Sequence, residues 1–289
     1  MEIQRALDQS DERVKCFTDT ETSVTLSVKI GVGVGDVAVL YIGGDLGRAE
    51  TVAVGAPLDQ AFAAEHLGVA GHVVCSREAW ALVREHFNPE AEVGEGFVRV
   101  SVHSQVKTAL RKTRGAHALT AHCLSALDHA DAAALETRLE SYIPRSVLAN
   151  LRRESRESEK WANEICTVVV LFVNLGLDEA LLNRAANDRA DPSHAALNFV
   201  HATFAAAQKA VYEYEGSVNK FLHDDKGSTL IACWGLPPHA HADDPERAAL
   251  AALRLAQLLA HLGLTASVGL TVGEVFCGIT GSVARRESH

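Results

Sequence analysis

The sequence lacks the features that mark secreted, metal-binding and membrane proteins. Its six cysteines are widely separated and form no Cys-x-x-Cys pair, which excludes the zinc and redox motifs built on that pair. The first five residues have no apolar core of the kind that directs secretion. The longest apolar run of strand character, from Ile165 to Val173, is too short to span a bilayer and predicts a buried strand. Together these absences predict a cytoplasmic protein with reduced thiols and no transmembrane segment.

Positive charge is also scarce. The chain has 27 Lys and Arg residues against 37 Asp and Glu residues, and its formal net charge is −10. A nucleic-acid surface needs clustered basic side chains, and a membrane-surface patch needs a basic run, so neither partner is expected. The hydrophobic fraction of 47% and the charged fraction of 22% are typical of a soluble globular protein. A length of 289 residues allows one or two domains.

The chain divides into three regions that differ in hydrophobic pattern and polarity. Residues 1–88 mix strand-like and helical segments, and residues 165–289 do the same. Residues 89–164 are polar and less patterned, and they predict a partly helical connector with a break at Pro144. Strands mixed with helices and hairpins favour an α+β fold over a doubly wound parallel sheet.

Hydrophobic spacing and turn residues predict the elements of these regions. In the first region the predicted helices are Ala56–Leu67 and Arg77–Phe87, the second capped by Ser76. In the third region the predicted elements are a strand Cys166–Val173, a helix Ala195–Glu215, a strand pair Val218–Leu222 and Thr229–Trp234, a helix Pro245–Leu262, and a strand pair Thr265–Val272 and Glu274–Ile279.

A long-range repeat links the two ends of the chain. The segment Gly31-x-x-x-Gly35-Asp36-Val37 recurs as Gly269-x-x-x-Gly273-Glu274-Val275, at a constant spacing of 238 residues. The preceding residues also match, since Leu-Ser-Val comes before the first copy and Ala-Ser-Val before the second. The repeat predicts two related domains.

The third region resembles the class III nucleotide cyclase domain. The most specific stretch is Ala232-Cys-Trp-Gly-Leu-Pro237, followed by His241-Ala-Asp-Asp244 and by Arg247-Ala. Cys166–Asn174 resembles the first strand of that domain, and Val268–Gly281 resembles its central hairpin.

Within that family the chain is most similar to the soluble adenylyl cyclases of type 10, which carry two unequal cyclase domains in tandem. Val173-Asn174-Leu175 and Val218-Asn219-Lys220 resemble their second domain, and residues 28–80 resemble the back half of their first. The resemblance implies two incomplete ferredoxin-like cyclase domains, as in an internal fragment. Their expected bounds are 1–88, a connector 89–164, and 165–289.

The resemblance also implies a reaction that uses metal ions. The family makes cyclic AMP by attack of the ribose 3′-hydroxyl on the α-phosphate of ATP, with two aspartates of one domain holding two Mg²⁺ or Mn²⁺ ions. Asn174 stands in place of the first of these aspartates, and an amide is a poorer Mg²⁺ ligand than a carboxylate. Asp224 has the spacing of the second aspartate but is expected to be a turn residue. The metal ligands are therefore expected outside this chain.

Lys220 is the residue that the resemblance connects most directly with substrate. At this position related domains contact the purine. An ammonium group only donates hydrogen bonds, so it suits the acceptor N1 of adenine, whereas guanine presents a donor there. Lys220 therefore favours ATP over GTP as partner, and the alternative interpretation is an ordinary exposed strand lysine.

Other polar residues have simpler interpretations. Asp36 and Glu274 are expected to be turn residues between strands, although a catalytic carboxylate is conceivable. Metal binding by His241 and Asp243, in the loop with His239, is the less favoured alternative to a loop that leads into a helix cap. Arg247 is expected on a helix surface or interface.

Two further expectations follow from the resemblance. The Asn/Arg pair that holds ribose and phosphate is not found in the second copy within this sequence. Phe62 occupies the place where type 10 cyclases carry an arginine implicated in bicarbonate binding, and an apolar ring cannot pair with an anion. Bicarbonate activation is therefore not expected.

Three functions are consistent with these residues. The first is part of an adenylyl cyclase, with this chain inactive by itself and its two copies forming a pseudo-dimer. The second is a catalytically degenerate, nucleotide-binding regulatory module. The third is a guanylyl cyclase, against which Lys220 argues.

Overall fold

The computed structural model describes residues 27–44, 46–102, 129–152, 163–187, 193–224, 227–282 and 285–288. They form a mixed α+β structure that divides into two compact units. The first unit comprises residues 1–38 and 54–112, and the second comprises residues 39–53 and 113–289. No helix in the described part of the chain combines the length and the apolar character needed to cross a lipid bilayer.

The first unit is built on a four-stranded sheet with two helices. Its elements are β1 (Ile30–Val32), α1 (Ala56–Leu67), β4 (Val73–Ser76), α2 (Arg77–Val83), β5 (Phe87–Glu92) and β6 (Phe97–Val102). The strand order is β1-β4-β6-β5, with β1 parallel to β4 and the other neighbours antiparallel. Residues 89–92 and 97–102, which the sequence analysis placed in the connector, lie in strands of this sheet.

Helix α1 lies against Gly31 in β1 and Gly33 just after it. A Cβ atom added at Gly31 would lie 1.9 Å from the Ala61 carbonyl oxygen, and one at Gly33 would lie 2.1 Å from that of Pro57. Only glycine allows the backbones to approach so closely. Ser76, the last residue of β4, caps α2 as predicted, because its hydroxyl oxygen accepts a hydrogen bond of 3.1 Å from the amide of Ala79.

The second unit contains a five-stranded sheet. Its elements are the hairpin β2 (Ala38–Gly43) and β3 (Ala49–Val54), then α3 (His129–Glu140), α4 (Arg145–Arg152), β7 (Asn163–Asn174), α5 (Glu179–Ala186), α6 (Ala195–Glu213), β8 (Ser217–Asp224), β9 (Gly227–Trp234), α7 (Asp244–His261), β10 (Ser267–Ser282) and β11 (Arg285–Ser288). The sheet order is β11-β10-β7-β9-β8, and every neighbouring pair is antiparallel.

Helices α6 and α7 cover one face of this sheet. Alternate residues of β7, including Leu171 and Val173, are fully buried on that face, as are their partners on β9. The ring of Phe204 on α6 meets that of Phe221 on β8 edge to face, with 5.6 Å between centroids. This apolar layer fixes which residues of each strand point away from the helices.

The β2–β3 hairpin packs against α6 in the second unit. The amide of Gly43 donates to Nδ1 of His201 over 3.2 Å, and the side-chain amide of Gln208 donates to the Arg48 carbonyl over 2.6 Å. Arg48 is only 3% exposed and forms an ion pair with Glu50. Its guanidinium also donates to the carbonyl of Ser141, which follows α3.

The structure corrects the prediction for the end of the chain. The sequence analysis expected two strands with a turn near Gly273, whereas β10 is one continuous strand. Twelve of its residues pair with β7 from Ser267 to Gly278, and this ladder holds the glycines extended. Glu274 is therefore an exposed mid-strand residue opposite Thr167 and not a turn residue.

Candidate functional site

Four residues form a row across the face of the second sheet that α6 and α7 do not cover. Lys220 on β8 pairs with Ile231 on β9, Ile231 pairs with Phe172 on β7, and Phe172 pairs with Gly269 on β10. Directly opposed residues of antiparallel strands share a face, so all four lie side by side. Three strand spacings of about 4.8 Å put roughly 14 Å between the ends of the row.

The middle of this row is a flat apolar surface. Phe172 is 50% exposed although it lies in the central part of a strand whose neighbours Leu171 and Val173 are fully buried. Ile231 beside it is half-buried, and a Cβ atom added at Gly269 would meet nothing within 4 Å. The row therefore offers an aromatic ring and an aliphatic side chain to a planar ligand, with the Lys220 amine at one end.

A β-bulge in β8 determines where Lys220 points. Val218 pairs with Ala232 on the helix-covered face, and the pairing then shifts by one residue, so that Lys220 pairs with Ile231. Asn219 is the additional residue of the bulge. The shift puts the lysine on the face with Phe172, and the Lys220 side chain is half-exposed there.

The next row brings Asn174 to the turn between β8 and β9. Asn174 pairs with Thr229, and a Cβ atom added at Gly227 would lie 3.4 Å from its side-chain nitrogen. Gly227 in turn pairs with Asp224. The structure thus puts Asn174 and Asp224 at the same end of the sheet, adjacent to the row that contains Lys220. Asp225 and Lys226 of the turn lie outside the described residues.

The donor set at this end does not suit a Mg²⁺ ion. The Asn174 side-chain oxygen already accepts a hydrogen bond of 2.9 Å from the amide of Gly176. Mg²⁺ prefers charged oxygen ligands, and Asp224 provides the one carboxylate of this pair. Among the described residues no group of three or more His, Cys, Asp or Glu side chains could hold a metal ion.

Buried polar contacts join Ser228, at the start of β9, to the loop after β7. The amide of Leu175 donates to the Ser228 carbonyl over 2.8 Å, and the Ser228 hydroxyl donates to the Leu177 carbonyl over 3.3 Å. Nδ1 of His223 lies 3.1 Å from the Ser228 hydroxyl oxygen. Burial lowers the pKa of His223 below its usual value, which favours the neutral ring in this contact.

The Trp-Gly and His-x-Asp-Asp motifs have structural roles. The Trp234 indole N–H donates to the Tyr214 carbonyl over 2.8 Å, and a Cβ atom added at Gly216 would lie 2.4 Å from the indole ring. The His241 amide donates to the buried carboxylate of Asp244 over 2.8 Å at the start of α7. These contacts agree with the preferred interpretation of a loop that leads into a helix.

Arg247 lies on the surface of α7, as expected. It forms ion pairs with Asp243, one turn earlier, and with Glu215. The hydrogen bond from Arg247 is the main cause that lowers the pKa of Asp243. The remaining candidates belong to the first unit, where Asp36 is exposed after β1 and Phe62 is half-buried on α1.

Sequence reasoning identified Lys220, Asn174 and Asp224 but missed the residues between them. Phe172 and Asn174 are two residues apart in a strand, so they share a face, and this spacing was available as a signal. Ile231 and Gly269 could not have been found because their positions depend on strand register.

Comparison with known proteins supports the resemblance. No family model matches the chain. Adenylate cyclase type 10 of Rattus norvegicus is 23% identical over 290 residues, which cover 93% of this chain and 17% of that protein. The Homo sapiens protein of the same name is 23% identical over 285 residues, or 92% of this chain and 17% of that protein. The chain thus spans 17% of the length of the curated relatives it matches.

A solved structure shares the fold. It is described as a class III adenylyl cyclase-like ATP-binding protein from Pseudomonas aeruginosa, and it aligns with a TM-score of 0.51 at 14% identity. The alignment covers 99% of this chain and 62% of that chain. The chain is thus similar in sequence to adenylate cyclase type 10 and shares its fold with a class III adenylyl cyclase-like protein.

Proposed function

We propose that the chain is part of an adenylyl cyclase, a phosphorus-oxygen lyase that converts ATP to cyclic AMP and pyrophosphate for signalling in the cytoplasm. The observation that carries the proposal is the row formed by Lys220, Ile231 and Phe172 on the uncovered sheet face. The similarity to adenylate cyclase type 10 over 93% of the chain supports the choice of reaction.

The row suits adenine better than guanine. A purine ring can stack on the half-exposed ring of Phe172, a contact that is worth about 1–3 kcal/mol for a nucleic-acid base on an aromatic side chain. The Lys220 ammonium group can donate to adenine N1, whereas the N1–H of guanine would face another donor. The second unit therefore provides base recognition in this proposal.

The same unit does not provide the metal chemistry. Asn174 and Asp224 offer one carboxylate where two metal ions would need more, so the ligands of the catalytic Mg²⁺ or Mn²⁺ ions are expected elsewhere. We therefore expect the chain by itself to bind ATP without turnover. In the full-length protein we expect the two related cyclase copies to form a pseudo-dimer.

The binding experiment compares ATP and GTP on the purified chain by calorimetry. Lys220→Glu should weaken ATP binding about 10- to 100-fold, as expected for a lost hydrogen bond to a charged group, and should move the preference toward GTP. Lys209→Glu is the matched control, because Lys209 is an exposed lysine on α6. An unchanged nucleotide preference in Lys220→Glu would contradict base recognition by this residue.

The activity experiment measures cyclic AMP formation with Mg²⁺ or Mn²⁺. The chain is assayed alone and mixed with a separately expressed cyclase domain that carries an aspartate pair. We expect product only in the mixture, and less of it with Lys220→Glu. Product from the chain alone would overturn the assignment of Asn174.

A second candidate is a regulatory module that binds nucleotide without turnover. Asn174 in place of a carboxylate favours it, and the Pseudomonas aeruginosa protein that shares the fold is described as ATP-binding. ATP binding with no cyclic AMP in either arm of the activity experiment would select this candidate. A guanylyl cyclase is the third candidate, and a preference of the unaltered chain for GTP would select it.

A further inference from the structure

A cavity lies at the end of the second sheet opposite to the β8–β9 turn, near which Asn174 and Asp224 lie. Its volume is about 220 Å³. It is lined by the first residues of α4, the end of α6, the start of β8, the end of β9 and the following loop. The ends of β8 and β9 at this cavity are Ser217 and Trp234, so the whole length of both strands separates it from the turn.

The lining of the cavity contains two basic side chains with no carboxylate partner among the described residues, Arg145 and His239, whereas His241 lies against the carboxylates of Glu215 and Asp244. Arg145, His239 and His241 are the basic side chains, and Glu215 is the acidic one. Glu215 is already paired, since its carboxylate accepts from Arg247 and lies 3.5 Å from Nε2 of His241. Cys233, also in the lining, adds no negative charge because burial, helped by Cys277, raises its pKa to about 12.

Arg145 is an exposed residue at the cavity wall, and two contacts orient its side chain. Its guanidinium lies 3.6 Å from the centroid of the Tyr212 ring, and one of its N–H groups donates to the Leu46 carbonyl over 3.2 Å. A guanidinium has five N–H donors, so these contacts leave donors for a ligand. A guanidinium stacked on an aromatic ring is well suited to bind phosphate or carboxylate oxygens.

The start of helix α4 adds to the preference for an anion. Arg145 and the buried Ser146 begin helix α4, and the first turn of a helix carries a partial positive charge. The Ser217 hydroxyl oxygen has no hydrogen-bond partner among the described residues, but it has no surface accessible from the cavity and therefore contributes no contact to the site.

We propose that this cavity binds a small oxyanion, such as a phosphate or carboxylate group, held by Arg145 with the α4 N-terminus and His239. The ligand would join α4, which precedes the sheet in the chain, to the starting end of β8. This site is distinct from the nucleotide row, because its residues share none with Lys220, Ile231 or Phe172.

Inorganic phosphate is the probe for this site. Equilibrium dialysis of the full chain with radiolabelled phosphate, at constant ionic strength, should show one saturable site. Arg145→Gln should weaken binding by about tenfold or more, since a hydrogen bond to a charged group contributes about 1.5–3 kcal/mol. The exposed His239→Gln is a second variant that should weaken binding without affecting the fold.

Two controls separate this site from general charge effects and from the nucleotide row. Arg254→Gln removes a comparable surface arginine on α7 and should leave phosphate affinity unchanged. Lys220→Glu should leave it unchanged as well, so the two proposals fail or succeed independently. The proposal is overturned if the unaltered chain shows no saturable binding, if Arg145→Gln and His239→Gln both bind as it does, or if Arg254→Gln loses as much affinity as Arg145→Gln.

Discussion

The ion pair between Arg48 and Glu50 gives a prediction in which two physical effects compete. Both side chains are buried beneath the β2–β3 hairpin, with 4% of the Arg48 side chain and 15% of the Glu50 side chain exposed. Burial raises the pKa of Glu50 from 4.5 to about 6, and this effect exceeds the opposing attraction of Arg48. The folded protein therefore favours the protonated carboxyl group more than the unfolded chain does.

The direction of the pH dependence follows from this shift. Between pH 4.5 and about 6 the folded state binds more protons at Glu50 than the unfolded state does, so stability falls as the pH rises through that window. A difference of about 1.5 pKa units corresponds to roughly 2 kcal/mol. The contribution is fully present below the unfolded pKa and is lost above the folded one.

Glu50→Gln replaces the carboxylate with a neutral group of the same shape that can still accept from Arg48. We expect the variant to gain about 2 kcal/mol in its free energy of unfolding at pH 8, and to match the parent near pH 4. The opposing rule is that removing one partner of a buried ion pair costs about 3–5 kcal/mol. The raised pKa of Glu50 indicates that the cost of burying the carboxylate is the larger effect.

The assay is urea unfolding, followed by circular dichroism, at several pH values from 4 to 8. Glu136→Gln on the exposed side of α3 is the control and should leave the pH profile unchanged. A loss of stability in Glu50→Gln at pH 8, or a parent whose stability rises with pH between 4.5 and 6, would refute the reasoning. Either result would mean that the attraction of Arg48 outweighs the burial of Glu50.

Three further predictions concern single contacts. Gly31→Ala should lower the melting temperature strongly, because the new Cβ atom would lie 1.9 Å from the Ala61 carbonyl oxygen, whereas Gly269→Ala should be tolerated in open space. Phe172→Ala should weaken ATP binding by about 1–3 kcal/mol in calorimetry while leaving the melting temperature nearly unchanged, because the ring is half-exposed; equal ATP affinity would exclude stacking. Ser76→Ala should cost about 1 kcal/mol or more in urea unfolding, because it removes the cap on α2 and the hydrogen bond that the Ser76 hydroxyl donates to the Gln60 side-chain oxygen. Ser76→Thr, which keeps the hydroxyl, should retain more of the stability than Ser76→Ala.

The elements with strong local signals were predictable from the sequence. Helix α1 has the predicted bounds, and Ser76 caps α2, because capping and helical spacing depend on neighbouring residues. The helix predicted from Arg77 to Phe87 ends earlier, at Val83, since Phe87 pairs with Val102 in the sheet. Sheet pairing thus determined where this helix stops.

Contacts between residues far apart in the chain explain the larger differences between the predicted and the observed structure. Gly273 was interpreted as a turn because glycine commonly ends strands, yet β7 supplies a hydrogen-bonded partner along this part of β10. The hydrogen bonds of Arg48 could not be predicted from the sequence either, because its partners Ser141 and Gln208 lie 93 and 160 residues away in the chain. At the candidate site the resemblance identified Lys220 from the sequence, but only strand register could place Ile231 beside it.

The β-bulge at Asn219 changes which side chains of β8 lie on the uncovered face of the sheet. If β8 paired regularly with β9 from Val218 onward, Asn219 would pair with Ile231 on the uncovered face, and Lys220 would pair with Leu230 and point into the apolar layer beneath α6 and α7. The register shift therefore decides whether an amide or an ammonium group stands beside Ile231. An amide both donates and accepts, whereas an ammonium group only donates, so the shift sets the hydrogen-bonding character of this end of the row.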